Sequence, residues 1–185
     1  MDERELARRC AEGDETAMET LYRAYSGRLL SLCRRYAPEA LEAEDLMQDA
    51  FIKIFRVISR YRYDGPGSLY SWMARVTINL CFDSARRRRW IRTSLSDESL
   101  RLPAAEEPAY EQVTSIPQED LRAMVEELPE SYRTVFQLYC IDGLSHAEIG
   151  RLLGIREKSS SSILRRARIL LSAKIKAYLK DHGNE

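Results

Sequence analysis

The segment Asp45-Leu46-Met47-Gln48-Asp49-Ala50-Phe51 sets two carboxylates and a primary amide among apolar residues. At helical spacing, Asp45, Gln48, Asp49, Ile52 and Arg56 share one face, while Leu46, Met47, Ala50, Phe51, Ile54, Phe55 and Ile58 form the opposite stripe. The first set suggests recognition. An isoleucine ringed by carboxylates and an amide suits a basic helical protein partner, although a solvated acidic face reads the same way. Covalent chemistry is not indicated. Neither His146 nor His182 has a plausible nucleophile partner in sequence, and no glycine-rich loop is placed to cradle phosphate. No cofactor is expected.

A second constellation lies about a hundred residues on. Ser145 and Glu148 have the spacing of a capping box, which starts a short helix carrying Ile149, Leu152 and Leu153 inward. Gly150 is small where two helices must cross, Gly154 can take a left-handed turn, and Ile155 can plug the corner before a helix starting near Arg156. That order of residues is the helix-turn-helix spacing, and a plain helical hairpin is the alternative. In a helix-turn-helix the second helix enters the major groove by its N-terminal end. Arg156, Glu157 and Lys158 are then placed to read bases, with Ser159, Ser161 and Ser162 as weaker donors. Arg165, Arg166 and Arg168 would anchor phosphates.

Between these two, Tyr61, Arg62 and Tyr63 adjoin Asp64-Gly65-Pro66-Gly67. Aromatic rings beside cations suit the stacking of single-stranded bases. Asn79, polar in a largely apolar helix, can read a base edge or bond backbone within a core. The run Arg86-Arg87-Arg88-Arg89 before Trp90 suits phosphate, or is simply an exposed, arginine-rich helix end.

The elements that must hold these groups are helical. With 44% hydrophobic and 31% charged residues, and apolar positions recurring every three or four, the chain reads as all-α. Helices are expected at 2–12 and 14–37, the second carrying Leu21, Tyr22, Tyr25, Leu29, Leu32 and Cys33. Others are expected from Glu42 to Ser59 and from a Ser68 cap through Leu69, Trp72, Met73, Val76 and Leu80 to the arginine run. Residues 93–117 hold one basic and five acidic residues with three prolines, and read as a flexible acidic linker. Two small helical domains are therefore expected, at 1–92 and 118–185. The second is expected to open near Gln118 with Leu121, Met124, Val125 and Leu128, and to continue in one helix from Pro129 to Ile141.

The balance of 29 basic and 29 acidic residues conceals segregation, because residues 165–180 contain six cations and no anion. No 18-residue apolar run is present, so no membrane insertion is expected. The charged start Met1-Asp2-Glu3-Arg4-Glu5 predicts no signal peptide. Cys10, Cys33, Cys81 and Cys140 are widely spaced, which suits buried thiols in a reducing cytoplasm, and a zinc site is not expected.

Three stretches in this order resemble the extracytoplasmic-function sigma factors of the sigma-70 superfamily, and the resemblance spans nearly the whole chain. Ala43 to Phe51 is similar to the family's polymerase-binding region, Ser68 to Met73 through Asn79 and Asp83 to its minus-ten region, and Leu144 to Gly150 with Arg166-Ala167-Arg168 to its minus-35 domain. The resemblance implies a specificity subunit of bacterial RNA polymerase, not itself an enzyme, that finds promoters and assists strand opening. The implied partners are core polymerase (its β′ clamp coiled coil and β flap), promoter DNA and an anti-sigma factor. It assigns Asp45, Leu46, Gln48, Asp49, Ile52 and Arg56 to polymerase, and Tyr61, Arg62, Tyr63, Trp72, Asn79, Arg86 and Arg87 to minus-ten DNA. Many relatives carry glycine at the position of Lys158 and a basic residue at that of Ser161, a departure that bears on the minus-35 contacts. A helix-turn-helix regulator acting without polymerase is the alternative function.

Overall fold

A computed structural model describes residues 2–37, 39–82 and 113–182, which are helical with no strand among them. The chain divides into two compact units, one within Met1–Asp83 and the other within Ser84–Glu185.

In the first unit, α1 (Glu3–Ala11) begins where the Asp2 carboxylate accepts the Glu5 N–H at 2.7 Å. Gly13, at φ 83°, turns the chain. Asp14 then caps α2 (Glu15–Tyr36) by accepting the Ala17 N–H, while its other oxygen holds Arg9 at 2.7 Å. Such a cap satisfies one of the donors that every helix start leaves unpaired. Two helices come next, α3 (Ala40–Val57), extended by a 3-10 turn at Ile58–Arg60, and α4 (Ser68–Cys81). α2 packs against α1, α3 and α4, and α3 against α4. Leu21, Leu29 and Leu32 of α2, Ala50 and Ile54 of α3, and Leu69 and Met73 of α4 are wholly buried between them.

Both ends of α4 differ from expectation. Ser68 does not cap it. Gly67 holds that position at φ 83°, and the Ser68 hydroxyl instead serves the preceding loop, reaching the Tyr61 hydroxyl at 2.6 Å and accepting the Asp64 N–H at 3.2 Å. Nor is α4 continuous to the arginine run, because it ends at Cys81 with Phe82 as its C-cap. The arginines at 86–89 lie outside the described residues. Tyr22, expected in the apolar stripe of α2, is 41% exposed.

The second unit holds α5 (Gln118–Glu126), α6 (Glu130–Phe136), α7 (His146–Leu153) and α8 (Glu157–His182). α8 packs against the other three. Tyr132, Val135, Leu138, Ile149, Leu153 and Ala167 fill the centre. Ile116, within the stretch expected to be linker, is also buried. Pro129 stands at the N-cap of α6, one residue before the helical position expected for it. The helix expected to reach Ile141 gives way to a π-helical turn at Gln137–Ile141, and Cys140 on it is exposed rather than buried.

Candidate functional site

α3 buries Ala43, Leu46, Met47, Ala50, Phe51 and Ile54 and exposes Asp45, Gln48, Asp49, Ile52 and Arg56. The amphipathic division therefore stands where the spacing placed it, with Phe55 only half-buried. The assignment of Leu46 to polymerase, implied by the resemblance, does not fit. At 5% exposure Leu46 belongs to the core and offers no contact surface. Sequence reasoning missed Leu41, which is 70% exposed on the same face as Asp45 and Ile52. It lies one residue before the expected helix start, and its spacing of four from Asp45 was the available signal. The Tyr22 ring covers Phe51 at a centroid distance of 4.7 Å, adding aromatic surface beside α3.

The loop before α4 treats its two tyrosines oppositely. Tyr61 is buried, with its ring 5.7 Å from that of Trp72 and its hydroxyl bonded to Ser68. It supports the loop and does not face solvent, contrary to the expectation that it stacks on bases. Tyr63 is 45% exposed. Arg62 turns its guanidinium back onto the Ser59 and Tyr61 carbonyls, both at 3.1 Å. Asn79 is exposed on α4 and so outside the core, but its amide does bond neighbouring backbone, donating to the Arg75 carbonyl at 2.8 Å. Trp72 is half-buried. Arg86 and Arg87 lie outside the described residues.

The helix-turn-helix is built as its residues predicted. Ser145 accepts the Glu148 N–H and the Glu148 carboxylate accepts the Ser145 N–H, closing the capping box at α7. Gly154 takes φ 73°, and the Ile155 N–H bonds the Gly150 carbonyl at 3.0 Å across the turn. Arg156, Glu157, Lys158, Ser161 and Ser162 are exposed, and Ser159 is half-buried. The three arginines of α8 do not share one face. Arg165 and Arg168 line a concavity of about 370 Å³ with Ser161, Tyr139 and His146. Arg166 projects from another side of the helix and is half-buried, because one residue turns an α-helix by about 100°. Tyr139 and His146, absent from the sequence assignment, stack at 4.5 Å, and the His146 Nδ1 lies 3.0 Å from the buried Ser160 hydroxyl. That bond ties the start of α7 to α8. The exposed Tyr139 and Ile141 come from the π-helical turn, whose extra residue no periodic pattern announces.

Comparison with known proteins respects the same division. The Sigma-70 region 2 family model matches residues 21–91, and Sigma-70, region 4 matches residues 118–171. The ECF RNA polymerase sigma factor SigE of Mycolicibacterium smegmatis is 35% identical over 180 residues, covering 95% of this chain and 67% of that protein. The ECF RNA polymerase sigma factor SigM of Mycobacterium tuberculosis is 30% identical over 172 residues, covering 93% and 83%. The ECF RNA polymerase sigma-E factor of Escherichia coli K12 is 28% identical over 184 residues, covering 95% of each. Among solved structures, CnrH in complex with the cytosolic domain of CnrY matches with a TM-score of 0.51 at 24% identity, covering 94% of this chain and 97% of that one. RpoE in complex with the anti-sigma factor NepR from Bartonella quintana gives 0.50 at 21%, covering 85% and 96%. At such identities these two structures speak for the fold alone.

Proposed function

The chain belongs to the extracytoplasmic-function sigma factors of the sigma-70 family, and from that membership we propose how its parts divide the work of transcription initiation. A sigma factor directs bacterial core RNA polymerase to specific promoters. In our reading residues 1–92 dock polymerase and hold the minus-ten element, residues 93–117 connect, and residues 118–185 meet the minus-35 element. The protein acts in the cytoplasm and is not itself an enzyme: the chemistry is the polymerase's.

Docking on the β′ clamp coiled coil falls to Leu41, Asp45, Gln48, Asp49, Ile52 and Arg56. The observation that carries this reading is their common exposure on α3, opposite a buried stripe, with two large apolar side chains among the polar ones. An apolar centre ringed by charge supplies both burial and steering in a protein interface. In the second unit, exposed Tyr139 and Ile141 supply apolar surface for the β flap. Tyr63 stacks on an extruded minus-ten base and Asn79 meets its edge, with Arg86 and Arg87 on nearby phosphates. Arg156, Glu157, Lys158, Ser159, Ser161 and Ser162 face minus-35 bases, and Arg165 and Arg168 hold its backbone. CnrH and RpoE are seen with CnrY and NepR, and the shared fold supports an anti-sigma partner here too.

Reconstitution with core polymerase tests the two halves of the first unit separately. Asp45→Lys, Asp49→Lys and Ile52→Arg weaken core binding in a competition assay while leaving the melting temperature unchanged. Truncating one member of a buried interfacial charge pair costs on the order of 2–5 kcal/mol. Equal affinity for all three variants and the parent would overturn the docking face. Tyr63→Ala and Asn79→Ala keep the gel shift of the closed complex but lose permanganate reactivity of unpaired thymines, because stacking contributes roughly 1–3 kcal/mol per base. Full permanganate reactivity in both would reject the base pocket.

A further inference from the structure

Gly67 leaves α4 without a side chain at its N-cap, and no acidic residue stands in the first turn of that helix. The unpaired N–H groups of a helix start need acceptors, and the positive end of the helix favours a negative one. The acceptor comes from elsewhere. One carboxylate oxygen of Glu3 accepts the Gly67 N–H at 3.0 Å and the Leu69 N–H at 3.3 Å. Its other oxygen accepts the Tyr25 hydroxyl at 3.2 Å. Glu3 is also the first residue of α1, so its charge lies at the start of two helices at once.

The contacts continue beyond the carboxylate. The Tyr25 ring stacks on Tyr70 at 6.3 Å, and the Arg28 guanidinium covers the Tyr70 ring at 3.5 Å. Burial, followed by the charge on Glu3, pushes the Tyr25 hydroxyl above its ordinary range, so it remains a donor at neutral pH. α1 and α2 therefore grip the first turn of α4 from outside it. Immediately ahead of that turn, the chain passes through the two positive-φ glycines, Gly65 and Gly67, that come after Tyr63.

We propose that Glu3 is a positioning residue for recognition of the extruded promoter base: its carboxylate caps α4 from α1 and so fixes the loop that presents Tyr63. The proposal rests on the reading of Tyr63 as the ring that stacks on the extruded base. Two glycines near each other give the loop backbone freedom that must be removed before an aromatic ring is held ready for a base. Ser68 removes part of it from one side through Tyr61 and Asp64. Glu3 removes more of it at Gly67. A residue three positions into the chain thereby acts on base recognition without touching DNA.

The test uses the full chain with core polymerase and compares Glu3→Ala, Glu3→Gln and Tyr63→Ala with the parent. Amide hydrogen exchange monitored by NMR reports the cap directly. In Glu3→Ala, exchange at Gly67 and Leu69 accelerates roughly fivefold or more, as expected for a lost N-cap. Discrimination between correct and incorrect bases at the extruded position, measured on a pre-melted promoter, falls about three- to tenfold, while core affinity stays within about twofold. Glu3→Gln keeps an acceptor oxygen without the charge and falls between Glu3→Ala and the parent. Unchanged exchange at Gly67 and Leu69 would overturn the cap. Faster exchange with intact discrimination would overturn its role in base recognition. A parallel loss of melting temperature, core affinity and discrimination would reduce Glu3 to a prop of the whole unit and overturn the proposal. Tyr63→Ala separates this failure from that of the reading beneath it: full discrimination there would overturn the loop's part in base recognition and the functional half of the proposal, with the exchange data still reporting on the cap.

Discussion

Gly150 has no room for a side chain. A Cβ built there would stand 2.8 Å from the Ile155 carbonyl oxygen, and backbone cannot swing aside as a long side chain can. Two effects then compete in Gly150→Ala. Alanine gains about 1 kcal/mol in helix propensity over glycine, whereas overpacking costs about 1–3 kcal/mol. We expect the clash to win, so Gly150→Ala lowers the thermal midpoint of the second unit and weakens minus-35 binding with it. A raised midpoint with normal DNA binding would show that the turn yields. This glycine was legible in the sequence because its reason is local: the capping box, Gly150 and Gly154 lie within ten residues. The two loop tyrosines were not separable in that way. Tyr61 and Tyr63 have the same chemistry and stand two apart, and only the Trp72 ring and the Ser68 hydroxyl decide that the first turns inward. Glu3 was invisible for the same reason, since the N–H groups it caps lie more than sixty residues away in sequence.

Among the elements, α8 carries the sharpest division. Arg165 and Arg168 share a face with Ser161, and Arg166 does not. Each phosphate contact removed lowers the salt dependence of DNA binding by about one unit of slope. Arg165→Ala and Arg168→Ala therefore flatten that slope, and Arg166→Ala leaves it as it was. Arg156→Ala and Lys158→Ala instead shift sequence preference, since base-edge contacts carry discrimination. Equal, sequence-independent losses in all five would erase the split between reading and anchoring. Periodicity located α1, α2 and α3, and the capping box and glycine turn the starts of α7 and α8, to within about two residues, the usual uncertainty of helix ends. It failed at the π-helical turn. There an added residue shifts the phase of the side chains, and Tyr139, Cys140 and Ile141 are all exposed.

At the scale of the molecule, two units each have a core, and the basic residues cluster in sequence. Charge placed this way attracts duplex DNA weakly and without sequence preference, since counterion release alone supplies most non-specific binding. Specific promoter recognition needs more contacts than one short helix-turn-helix gives. Footprinting at physiological salt should thus show protection by the polymerase-bound protein and none by the free chain at the same concentration. Equal protection without polymerase would favour an independent helix-turn-helix regulator. The two-domain plan was legible from composition, because the proline-rich acidic stretch at 93–117 lacks amphipathic period. Its C-terminal border was less so. Ile116 is a single apolar residue beside a proline, with no stripe to declare that it is buried.

The two exposed apolar residues of α3 also measure the object that must cover them. Leu41 and Ile52 are separated by three helical turns plus about 20°, so they mark a line of about 16 Å running parallel to the axis. A line of that length and little width is matched by a rod laid alongside and poorly by one crossing it, since a crossing helix reaches only one of its ends. A competing peptide shorter than about three helical turns would leave either Leu41 or Ile52 wet. The shortest effective blocker of this surface is accordingly set by α3, whatever the blocker's own sequence.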